Sequence, residues 1–180
     1  MKRVATALAA LVLLTACSGS DEPTANDGPK ATESTGAPAS AATPTVAPDL
    51  NATQVVSALS GAGYECTTDV AYAICRMGAA AVWVLTGDHP RPPVVSVHAL
   101  GPVDVAWAEI SNSLARILEL AHVNQGAEIA AWFEQQKSRP VAQQTFGDWQ
   151  ADYSAEVDTD EPGVHLTLTD KLCTTRCQAE

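Results

Sequence analysis

The clearest hydrophobic pattern along the chain is a strict alternation near its C-terminal end. In FGDWQADYSAEVD the odd-numbered residues from Trp149 to Val157 are apolar, and the even-numbered residues between them are polar. The stretch GVHLTLTD repeats this alternation, with Val, Leu and Leu separated by His and Thr. A period of two predicts strands with one apolar and one polar face, as in antiparallel sheets that are covered on one side.

The DTDEPG turn between these two stretches predicts that they pair as an antiparallel hairpin. We expect Val157 to lie opposite Val164, because both side chains then face the core on either side of the turn. This register fixes the other opposed pairs. On the polar face it places Glu156 opposite His165 and Gln150 opposite Lys171.

Helical spacing is found in three other segments. Asn51, followed by Gln54 three positions later, has the form of a capping box and predicts a helix that ends at SGAG. A longer helix is predicted to begin at Asp104, because apolar residues then recur at i, i+3, i+4 and i+7. These residues are Trp107, Ile110, Leu114, Ile117, Leu118 and Ala121. After a break at NQG, residues 129–133 predict a shorter helix that ends before Pro140.

Four short stretches rich in β-branched or aromatic residues lie between the first two helices. They read YECTTD, YAICRM, AVWVLTG and PVVSVHALG, and turn residues separate them. The order of helix, four strands, two helices and two strands predicts an α+β fold, with a largely antiparallel sheet of about six strands and helices packed on one face. Residues 49–180 have the usual length of one domain with one core.

The N-terminal segment combines a basic start, an apolar run and a cysteine. Lys2 and Arg3 precede the uncharged run from Val4 to Leu14, which is about half of the roughly 20 residues that span a bilayer. This pattern is typical of a secretory signal. The run ends in LTAC, residues 14–17, which resembles the lipobox of bacterial lipoproteins. The high Ala, Thr and Pro content that follows is similar to that of lipoproteins from Gram-positive actinobacteria.

The resemblance to the lipobox implies a route of processing and a location. Residues 1–16 would be a cleaved signal peptide, and Cys17 would carry diacylglycerol and hold the protein on the extracytoplasmic face of the cell membrane. Residues 17–48 contain almost no large apolar side chains, so we expect the lipidated cysteine to be followed by a disordered tether. An ordinary secretory signal ending near Ala16, with Cys17 unmodified, is the alternative.

The charge of the chain excludes several classes of partner. The formal net charge is −11, and it becomes −13 when Lys2 and Arg3 are removed with the signal peptide. Such an acidic chain is not expected to bind nucleic acid, which requires a basic patch. The sequence holds no GxSxG, HExxH, Walker A, EF-hand or GxGxxG motif. We therefore expect no cofactor and no dedicated metal site.

The cysteines after Cys17 are even in number, which favours two disulfides over a metal site in an exported protein. A tight hairpin through TTDVAYAI would place Cys66 directly opposite Cys75, at a separation that a disulfide can bridge. Cys173 and Cys177 would then close a small ring at the C-terminal end. The two other connectivities, which join this end to the first hairpin, remain open.

The polar face of the predicted sheet is the candidate functional surface. Its residues are Ser96, His98, Asp148, Gln150, Asp152, Ser154, Glu156, His165 and Thr167. We expect a lipid-anchored extracytoplasmic binding or interaction domain without catalytic activity. Its partner would be an envelope protein or a small ligand, besides the membrane that holds the anchor.

Two other function classes remain as alternatives. One is a small envelope hydrolase that uses His98 or His165 with a nearby carboxylate, and the other is a small-molecule or metal-sensing lipoprotein. Ser96 lies two residues from His98 on one strand, so their Cα atoms are nearly 7 Å apart, too far for an easy serine–histidine hydrogen bond. Glu119 and His122 form an E-x-x-H motif once, whereas di-iron bundles contain it twice.

Overall fold

The computed structural model describes residues 48–157 and 160–178, and these form three helices and seven strands. In chain order the elements are α1 (Ala52–Gly61), β1 (Glu65–Asp69), β2 (Tyr72–Met77), β3 (Ala80–Leu85), β4 (Val94–Leu100), α2 (Val103–Leu120), α3 (Gly126–Glu134), β5 (Val141–Phe146), β6 (Trp149–Glu156) and β7 (Gly163–Asp170). The predicted signal peptide, Cys17 and nearly all of the predicted tether lie outside the described residues. Of the described helices, none is both long and apolar enough to cross a membrane.

All of the described strands belong to one antiparallel sheet, in the order β1-β2-β3-β4-β7-β6-β5. This confirms the predicted α+β fold, with seven strands where about six were expected. The additional strand is β5, which lies at an edge of the sheet and leaves Val141 and most of its polar residues exposed. Because an edge strand that buries little needs no continuous apolar face, its sequence VAQQTF lacks the alternation that identified β6 and β7.

The hydrophobic core lies between one face of the sheet and the helices, with α2 packed across β4 and β7. Val97 and Leu166 of these strands are fully buried together with Ile110 and Ile117 of α2. The predicted helical stripe therefore faces the sheet. The inward-facing residues of the strands alternate with residues on the uncovered side, as their period of two requires.

The first helix begins as its sequence predicts. The Asn51 side chain accepts a hydrogen bond from the backbone N–H of Gln54, and the Gln54 side chain accepts one from the backbone N–H of Asn51, each at 3.0 Å. These two bonds satisfy N–H groups that a helix start leaves without a partner inside the helix. Val55 and Leu59 then bury the inner side of α1 against β1, β2 and β3.

The register of the β6–β7 hairpin differs from the predicted one by two residues. Ala155, and not Val157, lies opposite Val164. The predicted pairs of Glu156 with His165 and of Gln150 with Lys171 are therefore wrong. The observed pairs are Glu156 with Gly163, Ser154 with His165 and Gln150 with Thr169.

The shift follows from where the two strands end. Val157 lies beyond the last residue of β6 and is 63% exposed, so it has no core position to occupy. Gly163 starts β7 so close to β4 that a Cβ there would lie 2.6 Å from the Ala99 carbonyl oxygen. A shift of two residues leaves every side chain on its predicted face, because side chains alternate with a period of two.

Two disulfides join Cys66 to Cys75 and Cys173 to Cys177, which confirms the favoured connectivity. Cys66 lies directly opposite Cys75, so the first bridge links β1 to β2 within one hairpin. The second bridge closes the small ring that follows β7. Disulfides persist in oxidising compartments, so the protein belongs to a compartment outside the reducing cytosol.

An ion cluster, consisting of the buried pair Arg91 and Asp170 and the exposed carboxylates of Asp49 and Asp148, closes one end of the sheet. The Arg91 guanidinium hydrogen-bonds to the Asp170 carboxylate and lies 5.0 Å above the centre of the Trp149 ring. Arg91 and Asp170 are 6% and 7% exposed. The carboxylates of Asp49 and Asp148 each lie 3.7 Å from Nη1 of Arg91.

The charges in this cluster depend on one another. Burial alone would raise the pKa of Asp170, but hydrogen bonds from Arg91 and from the backbone N–H of Leu172 hold the pKa of that carboxyl below its ordinary value. The hydrogen bond to Asp170 also raises the pKa of Arg91, more than burial lowers it. Both groups are therefore charged at neutral pH, and each neutralises the other where water is largely excluded.

We expect Arg91→Met to lower the free energy of unfolding by about 3–5 kcal/mol, because it leaves the Asp170 carboxylate buried without its partner. Urea denaturation at neutral pH measures this loss. Arg116→Met is the matched control, since Arg116 pairs with Glu119 at 2.6 Å on the exposed side of α2. Such a surface pair contributes at most about 1 kcal/mol. Equal losses in the two variants would contradict a structural role for the ion cluster.

Candidate functional site

The sheet face opposite the helices, which we call the open face, is built from the side chains that alternate with core residues. Across β3, β4, β7 and β6 one row of directly opposed residues runs from Trp83 through Ser96 and Thr167 to Asp152. The open face includes Tyr72, Arg76, Trp83, Ser96, His98, Gln143, Gln150, Asp152, Ser154, His165 and Thr167. It thus brings together most of the residues that the sequence analysis selected.

One of the selected residues, Asp148, lies elsewhere, and another, Glu156, lies at the end of the open face. Asp148 lies in the turn before β6, where its carboxylate faces Arg91 in the ion cluster. Glu156 is the exposed last residue of β6 and lies opposite Gly163, at the end of the hairpin. The alternation of side chains places a residue on a face only as far as the strand extends.

A shallow cavity of about 330 Å³ opens on this face. It is lined by Tyr72, Trp83, Ser96, His98, His165 and Thr167. The sequence analysis did not select the two aromatic residues. Ala73 and Val82 are buried in the neighbouring positions, so the alternation of β2 and β3 does turn Tyr72 and Trp83 outward. The alternation could not be recognised in the sequence, because both stretches are apolar at almost every position.

Aromatic contacts and one hydrogen bond organise the wall of the cavity. The Trp83 indole N–H donates to Nε2 of His98 at 2.7 Å, and the two rings meet edge to face. On its other side Trp83 meets Tyr72 edge to face, with ring centroids 5.8 Å apart. The rings of His98 and His165 lie 5.3 Å apart on paired positions of β4 and β7. Since Nε2 of His98 accepts this hydrogen bond, the neutral imidazole carries its hydrogen on Nδ1.

Polar contacts continue from the cavity toward the β5 edge. The Ser96 hydroxyl donates to Oγ1 of Thr167 at 3.1 Å. Beyond Thr167, the two oxygens of the Asp152 carboxylate accept hydrogen bonds from the amides of Gln143 and Gln150. These amides hold the carboxylate in one orientation, with its remaining lone pairs free to accept from a ligand.

Burial lowers the pKa of His98, and the nearby charges of His165 and Arg76 lower it further. Removal from water disfavours the charged imidazolium, and a second positive charge nearby disfavours it again. His98 is therefore neutral at physiological pH, which is the state that can accept the hydrogen bond from Trp83.

The arrangement lacks the contacts that a hydrolase of this kind needs. In such an enzyme an imidazole hydrogen-bonds to the nucleophilic hydroxyl, and a carboxylate orients its other nitrogen. Nε2 of His98 instead accepts from Trp83, and the Ser96 hydroxyl is bonded to Thr167. Neither histidine of the open face hydrogen-bonds to a hydroxyl or carboxylate within the described ranges.

The E-x-x-H motif has no metal-binding geometry, because α2 ends at Leu120 and His122 lies beyond it with a positive φ. Glu119 pairs with Arg116, while Nδ1 of His122 lies 2.8 Å from the carbonyl oxygen of Pro48. Within residues 48–157 and 160–178, no group of three or more His, Cys, Asp or Glu side chains converges on a point that could hold a metal ion.

A larger cavity of about 800 Å³ lies between the β3–β4 loop and the C-terminal disulfide ring. Arg91 and Asp170 form part of its wall, together with Asp49. These charges already pair with one another in the ion cluster. The smaller cavity is the better candidate for a binding site, because it lies on the open face and leaves Nδ1–H of His98 and the hydroxyl hydrogen of Thr167 for a ligand.

Because the pKa of His98 in the folded chain lies below its ordinary value of 6.5, the unfolded chain takes up this proton first as the pH falls. The free energy of unfolding should therefore decrease as the pH falls through about 6.5. Urea denaturation between about pH 8 and pH 5 measures this decrease, which should be smaller in His98→Gln. An unchanged dependence in His98→Gln would contradict the assignment.

The chain was compared with known proteins by sequence and by fold. It matches no protein-family model, no curated protein sequence and no solved structure. Its function is therefore inferred from the residues of the open face and from the N-terminal sequence.

Proposed function

We propose that this protein is a lipid-anchored, non-catalytic binding domain on the extracytoplasmic face of the cell membrane, and that the open face is its binding surface. The resemblance of residues 14–17 to a lipobox supports the anchor. The two disulfides support a location outside the cytosol. The acidic net charge supports a partner other than nucleic acid.

The cavity around Trp83 is the observation that carries the proposed binding role. A sheet that is covered on one side usually presents short polar side chains to water on the other side. Here Tyr72 and Trp83 occupy that side and are only partly exposed, next to two histidines. Aromatic side chains gathered in a shallow depression on an uncovered face are typical of interaction sites.

The hydrogen bonds inside the cavity support binding in place of catalysis. Hydrogen bonds between adjacent strands position His98 and the hydroxyls of Ser96 and Thr167. The His165 ring lies against that of His98, so these side chains are held in place before a ligand arrives. Rigid placement lowers the entropy that a binding site loses when it captures a ligand. The same contacts occupy the atoms that a nucleophile–base pair would need.

The proposed anchor predicts that Cys17→Ser moves the protein from the membrane fraction to the soluble exported fraction, because serine cannot accept the thioether-linked diacylglycerol. Fractionation with metabolic labelling by a fatty acid measures both the location and the lipid. The matched control is Cys66→Ser combined with Cys75→Ser, which removes cysteines but keeps the lipobox. Retention and labelling of the Cys17→Ser variant would exclude lipidation at this position.

The proposed binding surface predicts site-specific photo-crosslinking in cells. A benzoylphenylalanine in place of Ser154, on the open face beside His165, should form adducts with an envelope component of any chemical class. The same residue in place of Asn112, on the exposed side of α2, should not form them. Mass spectrometry of the purified protein identifies the adducts. Absence of adducts at position 154, or equal adducts at both positions, would exclude the open face as the binding surface.

A further inference from the structure

The six side chains that line the cavity include no carboxylate, ammonium or guanidinium group. Charged ligands need an opposite charge where they are desolvated, because an unpaired ion loses much of its hydration energy. An anion would find no permanently charged cation among these six side chains, and a cation would find no carboxylate there. The cavity therefore favours a neutral ligand.

The lining divides into an apolar part and a hydrogen-bonding part. Tyr72 and Trp83 form one side, and the Trp83 indole N–H is already used by His98. The opposite side presents Nδ1–H of His98 and the hydroxyl of Thr167, which accepts from Ser96 and so keeps its own hydrogen free. Within the described residues neither group donates to another residue.

This combination selects among neutral ligands. A purely aromatic or aliphatic ligand would cover the donors of His98 and Thr167 without pairing them, and each buried unpaired group costs about 1–3 kcal/mol. A small amide or alcohol would leave the aromatic side in contact with water. A ring with apolar C–H faces and a rim of hydroxyl groups satisfies both sides at once, and this is the chemistry of a sugar ring.

Polar groups also extend beyond the cavity in one direction. The row that begins at Trp83 continues through Ser96 and Thr167 to Asp152 and Gln143, one residue on each strand. At about 4.8 Å between neighbouring strands, this row is roughly 19 Å long. It leads from the cavity to the β5 edge and is lined by hydroxyl, carboxylate and amide groups, which hydrogen-bond to neighbouring hydroxyls of a ligand.

We propose that the open face binds a neutral oligosaccharide, with one sugar ring against Trp83 in the cavity and the following units along the row from Thr167 to Gln143. The inference rests on the proposed function, since it names the ligand of the same surface. The Asp152 carboxylate, held by two amides, accepts hydrogen bonds from sugar hydroxyls and repels anionic chains. Because of this repulsion, we expect the open face not to bind acidic or sulfated polysaccharides.

The test is isothermal titration calorimetry of the purified protein with four neutral probes. These are cellotetraose, maltotetraose, galactotetraose and mannotetraose. At least one probe should bind. Trp83→Ala should weaken that binding roughly tenfold or more, because it removes the stacking surface. Thr167→Val should weaken it about three- to tenfold, the effect of one neutral hydrogen bond. Thr68→Val is the matched control, since Thr68 lies on β1 and does not belong to the open face.

Further measurements distinguish a loss of binding from a loss of folding. Thermal denaturation of each variant checks folding, and Trp83→Phe, which retains an aromatic ring, should bind more tightly than Trp83→Ala. A sulfated chain, heparan sulfate, should not bind at the open face. The inference is overturned if no neutral probe binds, if Trp83→Ala and Thr167→Val bind as tightly as Thr68→Val, or if heparan sulfate binds equally well.

The two proposals fail separately. Adducts between position 154 and a protein or lipid, without binding of any sugar probe, would overturn the oligosaccharide and leave the binding surface intact. Adducts with carbohydrate would support both. Absence of any adduct at position 154, together with absence of sugar binding, would overturn both.

Discussion

Burial of one face of the sheet beneath α2 determines where the side chains of the candidate site lie. Val97 and Leu166 can enter the core only if their neighbours His98 and His165 point the other way. A slip of a single residue in β4 or β7 would exchange these sets and bury the imidazoles. The hydrophobic energy of the core, and no contact within the open face itself, therefore keeps the histidines on the accessible side.

The elements with a local physical cause could be predicted from the sequence. The capping box of α1, the stripe of α2 and the alternation in β6 and β7 each reflect contacts with near neighbours in the chain. The Cys66–Cys75 bridge followed from the parity of one short hairpin. β5 and the β6–β7 register could not be predicted, since both depend on distant contacts: β5 needs β6 as a partner, and the start of β7 is set by the close approach of Gly163 to Ala99.

The sequence predicted the polar residues of the candidate site but not its two aromatic residues. His98, His165 and Thr167 stand out because they interrupt apolar stretches. Tyr72 and Trp83 do not, because apolar residues surround them on strands whose outer side is also partly buried. Asp148 shows the opposite difficulty, since its place in the alternation suggested the open face, while the turn between β5 and β6 takes it out of the strand.

The bridge between Cys66 and Cys75 also limits what the free side of β1 can do. A strand at the border of a sheet can leave its partner and pair with another molecule, which leads to strand exchange and to linear polymers. Here a covalent bond ties β1 to β2 at directly opposed residues, so β1 cannot be replaced by the equivalent strand of a second copy while the bond persists. At high protein concentration, this crosslink favours the separate monomer over intertwined assemblies.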